Sequence, residues 1–426
     1  MVWGFASLAA ACGSASVLLD PSVPSDASLD RVVIGPTDVT SEFAGDADAS
    51  DTRAPIDVVP DALADALDVT RTDVPTDTPT DSPDVATPPV DVFVPPCGAL
   101  YEPCCAANRC SDPNTQCNTA GGYCAPCGGP GQRCCGSTCA AGTCAAGLCP
   151  RPSCPSASGP ECTLVELPSA TFTVAENIPG SEQRGITVNA FAMDAAEVTV
   201  ARFRRYFPSI SMRPPAPPPS VRYPGGTFLT EPMSPYPPQS PVWMAAPSAA
   251  DAHPVRGVYH NAAQAFCIWD GGRLPTEAEW EFAAYGVADG RPRPRRYPWG
   301  NALPATTCDL ANWNYCPGDD GQPTRRVAQF AANGGFYDLA GNVEELVADD
   351  FVPFSDAGCW GGIARRNPLC RTAEPTATRA SVVRGGEYGI TTPMPVPNDL
   401  PDATYRRRIR LSQSTFSQGF RCAYDR

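Results

Sequence analysis

Apolar and polar residues alternate with a clear period only in short stretches of this chain, and the clearest stretches predict helices. Apolar side chains three and four residues apart predict an amphipathic helix over 200–207, with Thr199 as its N-cap. The same spacing predicts a second helix over 262–269, where Asn261 is the expected cap. Both helices are short, so packing rather than intrinsic propensity must stabilise them.

A third helix is predicted from a capping pattern. Thr276 is followed three residues later by Glu279, which is the spacing of a capping box, and helix-forming residues continue to about Ala284. Strand signals are short and scattered, the clearest being the β-branched and aromatic runs 172–174 and 381–383. A few helices amid much irregular chain predict an α+β fold with little regular secondary structure.

Composition divides the 426-residue chain into four segments. We interpret them as a signal-like N-terminus, a disordered acidic linker, a set of cysteine-rich repeats and a folded domain, over 1–19, 20–96, 97–162 and 163–426. The C-terminal domain is long enough to bury a sizeable core. The cysteine-rich units are too short for a core of their own, so crosslinks must stabilise them.

The acidic character of the chain belongs to the linker. Residues 20–96 contain sixteen Asp and one Glu against three Arg, a net charge of −14, whereas the whole chain carries −15. Because like charges repel and few apolar residues are present, we expect an extended spacer or a solvated linker of no specific length. The remainder is nearly neutral and gives no reason to expect nucleic-acid binding.

Cysteine spacing defines an internal repeat. Fourteen of the 21 cysteines lie in 97–162, where two six-cysteine units begin at Cys97 and Cys127, each with an adjacent pair after its first cysteine. Zinc is the competing interpretation, but the spacings are not paired CxxC and the chain has only two histidines. We therefore predict disulfides within each unit, and between Cys154 and Cys162, formed in an oxidising compartment. The units could be protein-binding modules or a stalk, and we favour the stalk.

The N-terminus resembles an export signal. A short apolar stretch ends in small residues at Cys12, as in a bacterial lipoprotein whose cysteine is acylated after cleavage. The stretch lacks a positive n-region and has Ala9 three residues before the cysteine, so an ordinary signal peptide is the alternative. We expect an exported protein, either an envelope lipoprotein held at the membrane by a lipid on Cys12 or a secreted one.

Five sequence blocks of the C-terminal domain occur in an order typical of one family. They are Arg273–Glu281 (RLPTEAEWE), Tyr297–Asn301 (YPWGN), Gly335–Val343 (GFYDLAGNV), Arg384–Gly386 (RGG) and Gly419–Cys422 (GFRC). Together they resemble the formylglycine-generating enzyme (sulfatase-modifying factor) family, over about 163–426. The resemblance implies a variant of the C-type lectin fold with bound calcium and disulfides.

The resemblance also implies two calcium sites built from oxygen ligands, which suit a hard cation. The first would combine two carboxylates with two carbonyl oxygens, from Asp338, Glu345, Gly341 and Val343. The second would combine side chains with carbonyl oxygens, from Asn312, Trp313, Asp320 and Gln322. Its loop is shorter than in animal members, and Asp319 could substitute for Asp320.

The resemblance further implies a disulfide between Cys267 and Cys422. The four other cysteines of the domain suggest local bridges by their positions, Cys308–Cys316 and Cys359–Cys370. We expect these cysteines to be structural, because a catalytic thiol needs an activating base.

The oxidase chemistry of the family is not expected here. In oxidase members two cysteines beyond the Arg-Gly-Gly block bind copper, but their positions fall on Ile390 and within 400–407, where this sequence has no sulfur. Copper(I) selects thiolate ligands, so copper is not expected. Two aromatic residues of the family are also replaced, by Glu344 and Leu346. We interpret the arginine runs 291–296 and 406–408 as positive surface that is solvated or pairs with the acidic linker. Recognition of a carboxylate or sulfate is the alternative.

Two functional hypotheses follow. The first is a catalytically degenerate domain that acts as an exported or envelope-anchored binding or structural module, with an unknown protein or glycan ligand. The second is an oxidoreductase of the same family that acts on a protein or small molecule through a non-standard site. Metal content discriminates between them, because copper or iron would favour the enzyme and calcium alone the binding module.

Overall fold

The computed structural model describes most of the chain from Cys97 onward. The described residues are 97–155, 158–176, 178–208, 217, 220–229, 246–288, 291–292, 295–302, 307–313, 316–360, 365–374, 378–389, 406–411 and 413–426. The predictions for Cys12, for the acidic linker 20–96 and for Ile390 lie outside these residues. Pro88–Arg426 forms one compact unit.

The described residues contain three α-helices: α1 (Val200–Tyr206), α2 (His260–Trp269) and α3 (Glu277–Tyr285). Thr199 caps α1 and accepts a backbone N–H at 3.2 Å, and Thr276 opens α3 with the predicted capping box. The cap predicted for α2 is wrong. The helix begins two residues earlier than expected, at the buried His260, so Asn261 lies inside the first turn and Tyr259 is the N-cap. Short 3-10 helices lie at Pro160–Cys162, Ala249–Ala252 and Thr307–Asp309.

The strands are short and form several small sheets. In chain order they are β1 (Thr115–Asn118), β2 (Tyr123–Pro126), β3 (Leu164–Leu167), β4 (Ala170–Val174), β5 (Gln183–Val188), β6 (Phe191–Asp194), β7 (Ser220–Tyr223), β8 (Gly226–Leu229), β9 (Val287–Ala288), β10 (Arg291–Pro292), β11 (Glu344–Asp350), β12 (Ala380–Arg384), β13 (Arg406–Arg410), β14 (Gln418–Gly419) and β15 (Ala423–Asp425). The strands predicted at 172–174 and 381–383 lie in β4 and β12. The prediction of an α+β fold with little regular secondary structure is confirmed.

The largest sheet has the order β13-β12-β11-β14, with β11 and β14 parallel and the other neighbours antiparallel. A second sheet, β15-β6-β3, is antiparallel and pairs the last strand with strands from the start of the domain. Both sheets depend on residues far apart in sequence. The largest sheet carries the Arg-Gly-Gly block at the end of β12 and the Glu344–Glu345 pair at the start of β11.

Two hydrophobic clusters form the core of the domain. In the first, the rings of Phe203 on α1 and Phe266 on α2 stack with their centroids 5.5 Å apart, and Phe420 closes the cluster. In the second, Trp280 of α3 is fully buried beside the inner residues of β4, β5 and β12. Among the described residues, no helix has both the length and the apolar character required to span a membrane.

Both cysteine-rich units have the same disulfide connectivity. The bridges are Cys97–Cys105, Cys104–Cys117 and Cys110–Cys124 in the first unit, and Cys127–Cys135, Cys134–Cys144 and Cys139–Cys149 in the second. In each unit the first cysteine pairs with the third, the second with the fifth and the fourth with the sixth. Cys154 is bonded to Cys162. The sequence repeat is therefore also a structural repeat.

The cysteine-rich units pack against the C-terminal domain. The Tyr101 hydroxyl donates to Asp425 at 2.5 Å. The Arg151 side chain is only 5% exposed, and its Nη1 donates to a carboxylate oxygen of Asp194 at 2.6 Å. The cysteine-rich segment therefore contacts the domain directly, and its role as a stalk stays a prediction.

Candidate functional site

The Arg-Gly-Gly block joins the largest sheet to helix α3 and to the loop predicted to bind calcium. Arg384 is buried and pairs with Glu277 at 2.8 Å and with Glu281 at 2.7 Å, so its role is structural. The Gly385 carbonyl accepts a hydrogen bond from the Gly341 N–H at 2.8 Å. The segment that carries copper ligands in oxidase members therefore begins directly beside this loop.

Charged side chains surround the residues that follow the block. Glu344, which replaces an aromatic residue of the family, is buried and accepts two hydrogen bonds from Arg407, with 2.6 Å between Nε and Oε1. Glu387 is half-buried; its pKa is raised chiefly by burial and further by the charge of Glu344. Arg256 Nη1 donates to the Tyr388 hydroxyl at 3.3 Å. This group combines two carboxylates, two guanidinium groups and a phenol.

The cysteines near these charged side chains form disulfides. Every cysteine in the part of the chain that the structure describes belongs to a disulfide. Residues 390 and 400–405, at which copper ligands would fall, lie outside the described residues, but the sequence contains no cysteine between Cys370 and Cys422. A soft metal therefore finds no thiolate beside the Arg-Gly-Gly block.

The interpretation of the run 406–408 as solvated surface is wrong for Arg406, and Arg407 is 40% exposed but paired. Arg406 donates to Glu277 at 2.6 Å and lies over the Phe351 ring at 4.2 Å, and its side chain is 7% exposed. Arg407 pairs with the buried Glu344. The physical reason is that buried carboxylates require a cationic partner, and the run supplies it across the sheet.

A buried ion pair holds the end of the first predicted calcium loop. Glu345 accepts from Arg421 at both carboxylate oxygens, at 2.6 and 2.7 Å, and from Trp280 Nε1 at 2.8 Å. Asp338, at the other end of the loop, accepts the Ala328 N–H at 2.7 Å. The two carboxylates predicted as ligands thus flank one turn, and both oxygens of Glu345 already accept from Arg421.

Glu197 fixes the turn between Asp338 and Glu345, and the sequence analysis did not identify this residue. Its carboxylate accepts from Asn342 Nδ2 at 2.7 Å and from the Val343 N–H at 3.1 Å. Gly341 has a φ of 77°, and a Cβ there would lie 2.3 Å from the Asn312 carbonyl oxygen, so the turn requires glycine. The sequence feature that could have identified Glu197 is its position as an acidic residue within the apolar run that follows β6.

Negative charge exceeds positive charge at this loop. Three carboxylates, from Glu197, Asp338 and Glu345, lie close to the single guanidinium of Arg421. Burial, followed by the neighbouring carboxylates, raises the pKa of Glu197, and burial raises the pKa of Asp338 to about 6. Within the described residues, the three side chains do not bring their oxygens within 4.8 Å of one another. A hard cation fits the charge of this loop provided that backbone carbonyls complete its shell.

The second predicted site is occupied in part by an ion pair. Asn312 Oδ1 is buried and has no hydrogen-bond partner among the described residues, as a cation ligand would be. Asp320, however, pairs with Arg326 at 2.6 Å. The Trp313 carbonyl accepts a backbone N–H at 3.1 Å, and the Gln322 side chain faces a neighbouring guanidinium at 3.5 Å. Arg326 therefore competes with any cation at this site.

The domain contains three disulfides, Cys267–Cys422, Cys308–Cys316 and Cys359–Cys370. The first joins α2 to the residue before β15 across a sequence separation of 155, and both of its cysteines are fully buried. The other two close short loops. All six cysteines are structural in this arrangement.

Comparison with known proteins identifies the domain. The family described as the sulfatase-modifying factor enzyme 1-like domain matches residues 153–426. The chain belongs to this family. The match begins within the segment that composition assigned to the repeats, so the family domain includes the Cys154–Cys162 loop. The lectin-like variant of its fold remains a prediction.

The similar proteins of this family include one whose name describes it as inactive. The chain is 29% identical over 302 residues to the formylglycine-generating enzyme of Mus musculus, covering 62% of this chain and 75% of that protein. It is 41% identical over 106 residues to the inactive C-alpha-formylglycine-generating enzyme 2 of Mus musculus, covering 24% and 33%. The solved structure of PvdO from Pseudomonas aeruginosa has 21% identity and a TM-score of 0.42, covering 62% of this chain and 94% of that one.

Proposed function

We propose that this chain is a catalytically degenerate member of the family that acts as an exported binding or structural module. The contact between Glu344 and Arg407 carries the proposal. The Glu344 carboxylate stands where the family has an aromatic residue. Its partner is the Arg407 guanidinium, which belongs to the segment expected to hold the second copper ligand. Copper(I) needs soft ligands, and these hard charged groups cannot replace the missing thiolates.

Calcium is proposed as a structural ion of this module. The excess of negative charge around Arg421 supports a divalent cation at the first loop. The groups that would hold it are the side chains or carbonyls of Asp338, Gly341, Val343 and Glu345. A bound cation would neutralise the loop and fix the turn beside the Arg-Gly-Gly block. The second site is left out of the proposal because Asp320 already pairs with Arg326.

Export and anchoring are proposed from the cysteine chemistry. The dense disulfides of the repeats support an oxidising compartment, and Cys12 would carry a lipid that holds the module at the cell envelope. Labelling with a radioactive fatty acid should mark the full-length chain and fail to mark Cys12→Ala, which should appear in the medium. A labelled variant, or an unlabelled parent, would reject the lipid anchor.

A second candidate function is an oxidation performed in the same region by a non-standard site. The likeness to the mouse formylglycine-generating enzyme supports it. An oxidation of this kind requires a redox metal or cofactor, because side chains alone do not activate oxygen readily.

One preparation of full-length protein distinguishes the two candidates. Metal analysis should find calcium without stoichiometric copper or iron. Incubation with copper, oxygen and a Cys-x-Pro-x-Arg peptide should yield no formylglycine by mass spectrometry, while an active family member in the same buffer converts the peptide. Turnover by this chain would overturn the degenerate assignment. A stoichiometric redox metal without peptide turnover would favour oxidation of another substrate.

A further inference from the structure

Strand β13 lies at one edge of the largest sheet. Its inner side pairs with β12, where Val382 is opposite Arg408 and Ser381 is opposite Ile409. Its outer side has no neighbouring strand in the part of the chain that the structure describes. An edge strand of this kind presents main-chain groups to which another extended chain can pair.

The register of the ladder identifies the main-chain groups that point outward. The Leu411 N–H donates to the Arg379 carbonyl at 3.1 Å, and these two residues extend the β12–β13 register by one pair. Hydrogen-bonded and non-hydrogen-bonded pairs alternate along an antiparallel ladder, so Arg406, Arg408 and Arg410 turn their N–H and C=O groups away from β12. Among the described residues, no turn or loop hydrogen bond uses the N–H or the carbonyl of Arg408.

Two arginine side chains on this edge have no carboxylate partner. Arg408 and Arg410 are exposed, and neither guanidinium forms an ion pair or a hydrogen bond with a described residue. Side chains two residues apart in a strand lie on the same face, roughly 6.7 Å apart along the strand. Arg406, two residues earlier on that face, already pairs with Glu277. The outer edge therefore carries two positive charges whose spacing the strand sets.

An acidic extended peptide matches both the main chain and the charges of this edge. A pairing strand would bond to the outward N–H and C=O of Arg408, and its carboxylates two residues apart would lie beside Arg408 and Arg410. A sulfated glycan or a nucleic acid offers negative charge without the alternating donors and acceptors of a main chain. Arginine on an edge strand disfavours the approach of basic segments, including a second copy of the same edge.

We propose that the outer edge of β13 binds an extended acidic segment of a partner protein by strand addition, with Arg408 and Arg410 selecting carboxylates two residues apart. The main chain supplies affinity for an extended segment, and the two guanidinium groups supply the preference for an acidic one. Binding at this edge needs neither calcium at the first loop nor the residues that follow the Arg-Gly-Gly block. It therefore stands whether or not the degenerate assignment holds.

Fluorescence anisotropy of labelled peptides with the full-length protein provides the test. A peptide of alternating Asp and Val should bind saturably at low ionic strength. A version with Asn in place of Asp, and a version N-methylated at its Asp residues, should each bind at least about tenfold more weakly, because one lacks the charge and the other the edge-facing N–H groups. Equal binding of either version would overturn the proposal. A heparin tetrasaccharide that bound more tightly than the peptide would also overturn it, because charge alone would then suffice.

Substitutions at exposed positions locate the site without disturbing the core. Arg408→Gln and Arg410→Gln should each weaken binding of the Asp peptide about threefold, and the double variant about tenfold, as expected for exposed ion pairs. Arg184→Gln, which changes an exposed arginine on β5, should bind as the parent does. Parental affinity in the double variant would overturn the proposal.

Discussion

Arg407 and Glu344 form an ion pair in which the carboxylate is buried and the guanidinium is not. The Glu344 side chain is 1% exposed and that of Arg407 is 40% exposed, with 2.6 Å between Nε and Oε1. Both positions depart from the family pattern, one by losing an aromatic residue and the other by lying in a segment without cysteine. The ion pair allows both departures from the family pattern to coexist, because the Arg407 guanidinium compensates the charge of the Glu344 carboxylate.

The two partners of this pair should contribute unequally to stability. Arg407→Ala leaves a buried carboxylate without a cation and should cost about 2 kcal/mol, less than for a fully buried pair because water reaches Arg407. Glu344→Gln should cost about 1 kcal/mol or less, because Arg407 can extend into solvent. Urea unfolding of both variants measures the difference, with Arg109→Ala as an exposed arginine control. Equal losses would contradict the burial argument.

The long disulfide should stabilise the domain more than a short one. Replacing Cys267 and Cys422 with alanine opens a loop of 155 residues and should cost about 5 kcal/mol on the chain-entropy model. Replacing Cys308 and Cys316, whose separation is 8, should cost about 2.5 kcal/mol on the same model. Denaturant unfolding under non-reducing conditions gives both values. A larger loss for the short bridge would show that strain or packing dominates over loop closure.

Removal of calcium should destabilise the protein through the first loop. Chelator should lower the thermal midpoint by about 5 °C, because a ligand that binds only the folded state adds to its stability. Asp338→Asn should abolish this dependence on chelator. Asp320→Asn should retain it, since Asp320 already pairs with Arg326. An unchanged midpoint of the parent protein after chelation would remove calcium from the proposed function.

Asp349 should make stability fall as the pH rises towards neutrality. Burial, reinforced by Glu277, raises the pKa of Asp349 to about 7 in the folded state, against about 3.9 when unfolded. The folded state therefore favours the protonated carboxyl. Its contribution is fully present below pH 4 or so and is lost as the pH rises through about 7.

The pH profile of Asp349→Asn tests this assignment. The variant should lose the fall in stability between about pH 5 and 8, because the amide cannot ionise. Its thermal midpoint at low pH should be below that of the parent, because both carboxylate oxygens accept backbone N–H groups and the amide nitrogen cannot. The exposed Glu176→Gln should follow the parent profile. Parallel profiles for the parent protein and Asp349→Asn would show that another group governs this range.

The sequence by itself determined the local features of this protein. Thr199 and Thr276 cap their helices because a capping side chain acts on backbone groups two or three residues away. The six-cysteine repeat predicted crosslinks within each unit, because bridges between near neighbours need little help from the fold. The ordered blocks from Arg273 to Cys422 were enough to indicate the family. In α2 the local rule failed: the helix begins at the buried His260, and its N-cap Tyr259 makes no side-chain cap bond.

Only the tertiary structure decided which charges meet. Glu345 and Arg421 are 76 residues apart, and Glu344 and Arg407 are 63 apart, so no local pattern links them. The sequence could not show that the repeats dock on the domain, or that Arg426 contacts the repeats. Long side chains reach partners that chain folding brings close, and a buried carboxylate binds the nearest guanidinium whatever its place in the sequence. That dependence on three-dimensional proximity is why an arginine run that looked solvated supplies the partners of two buried carboxylates, Glu277 and Glu344.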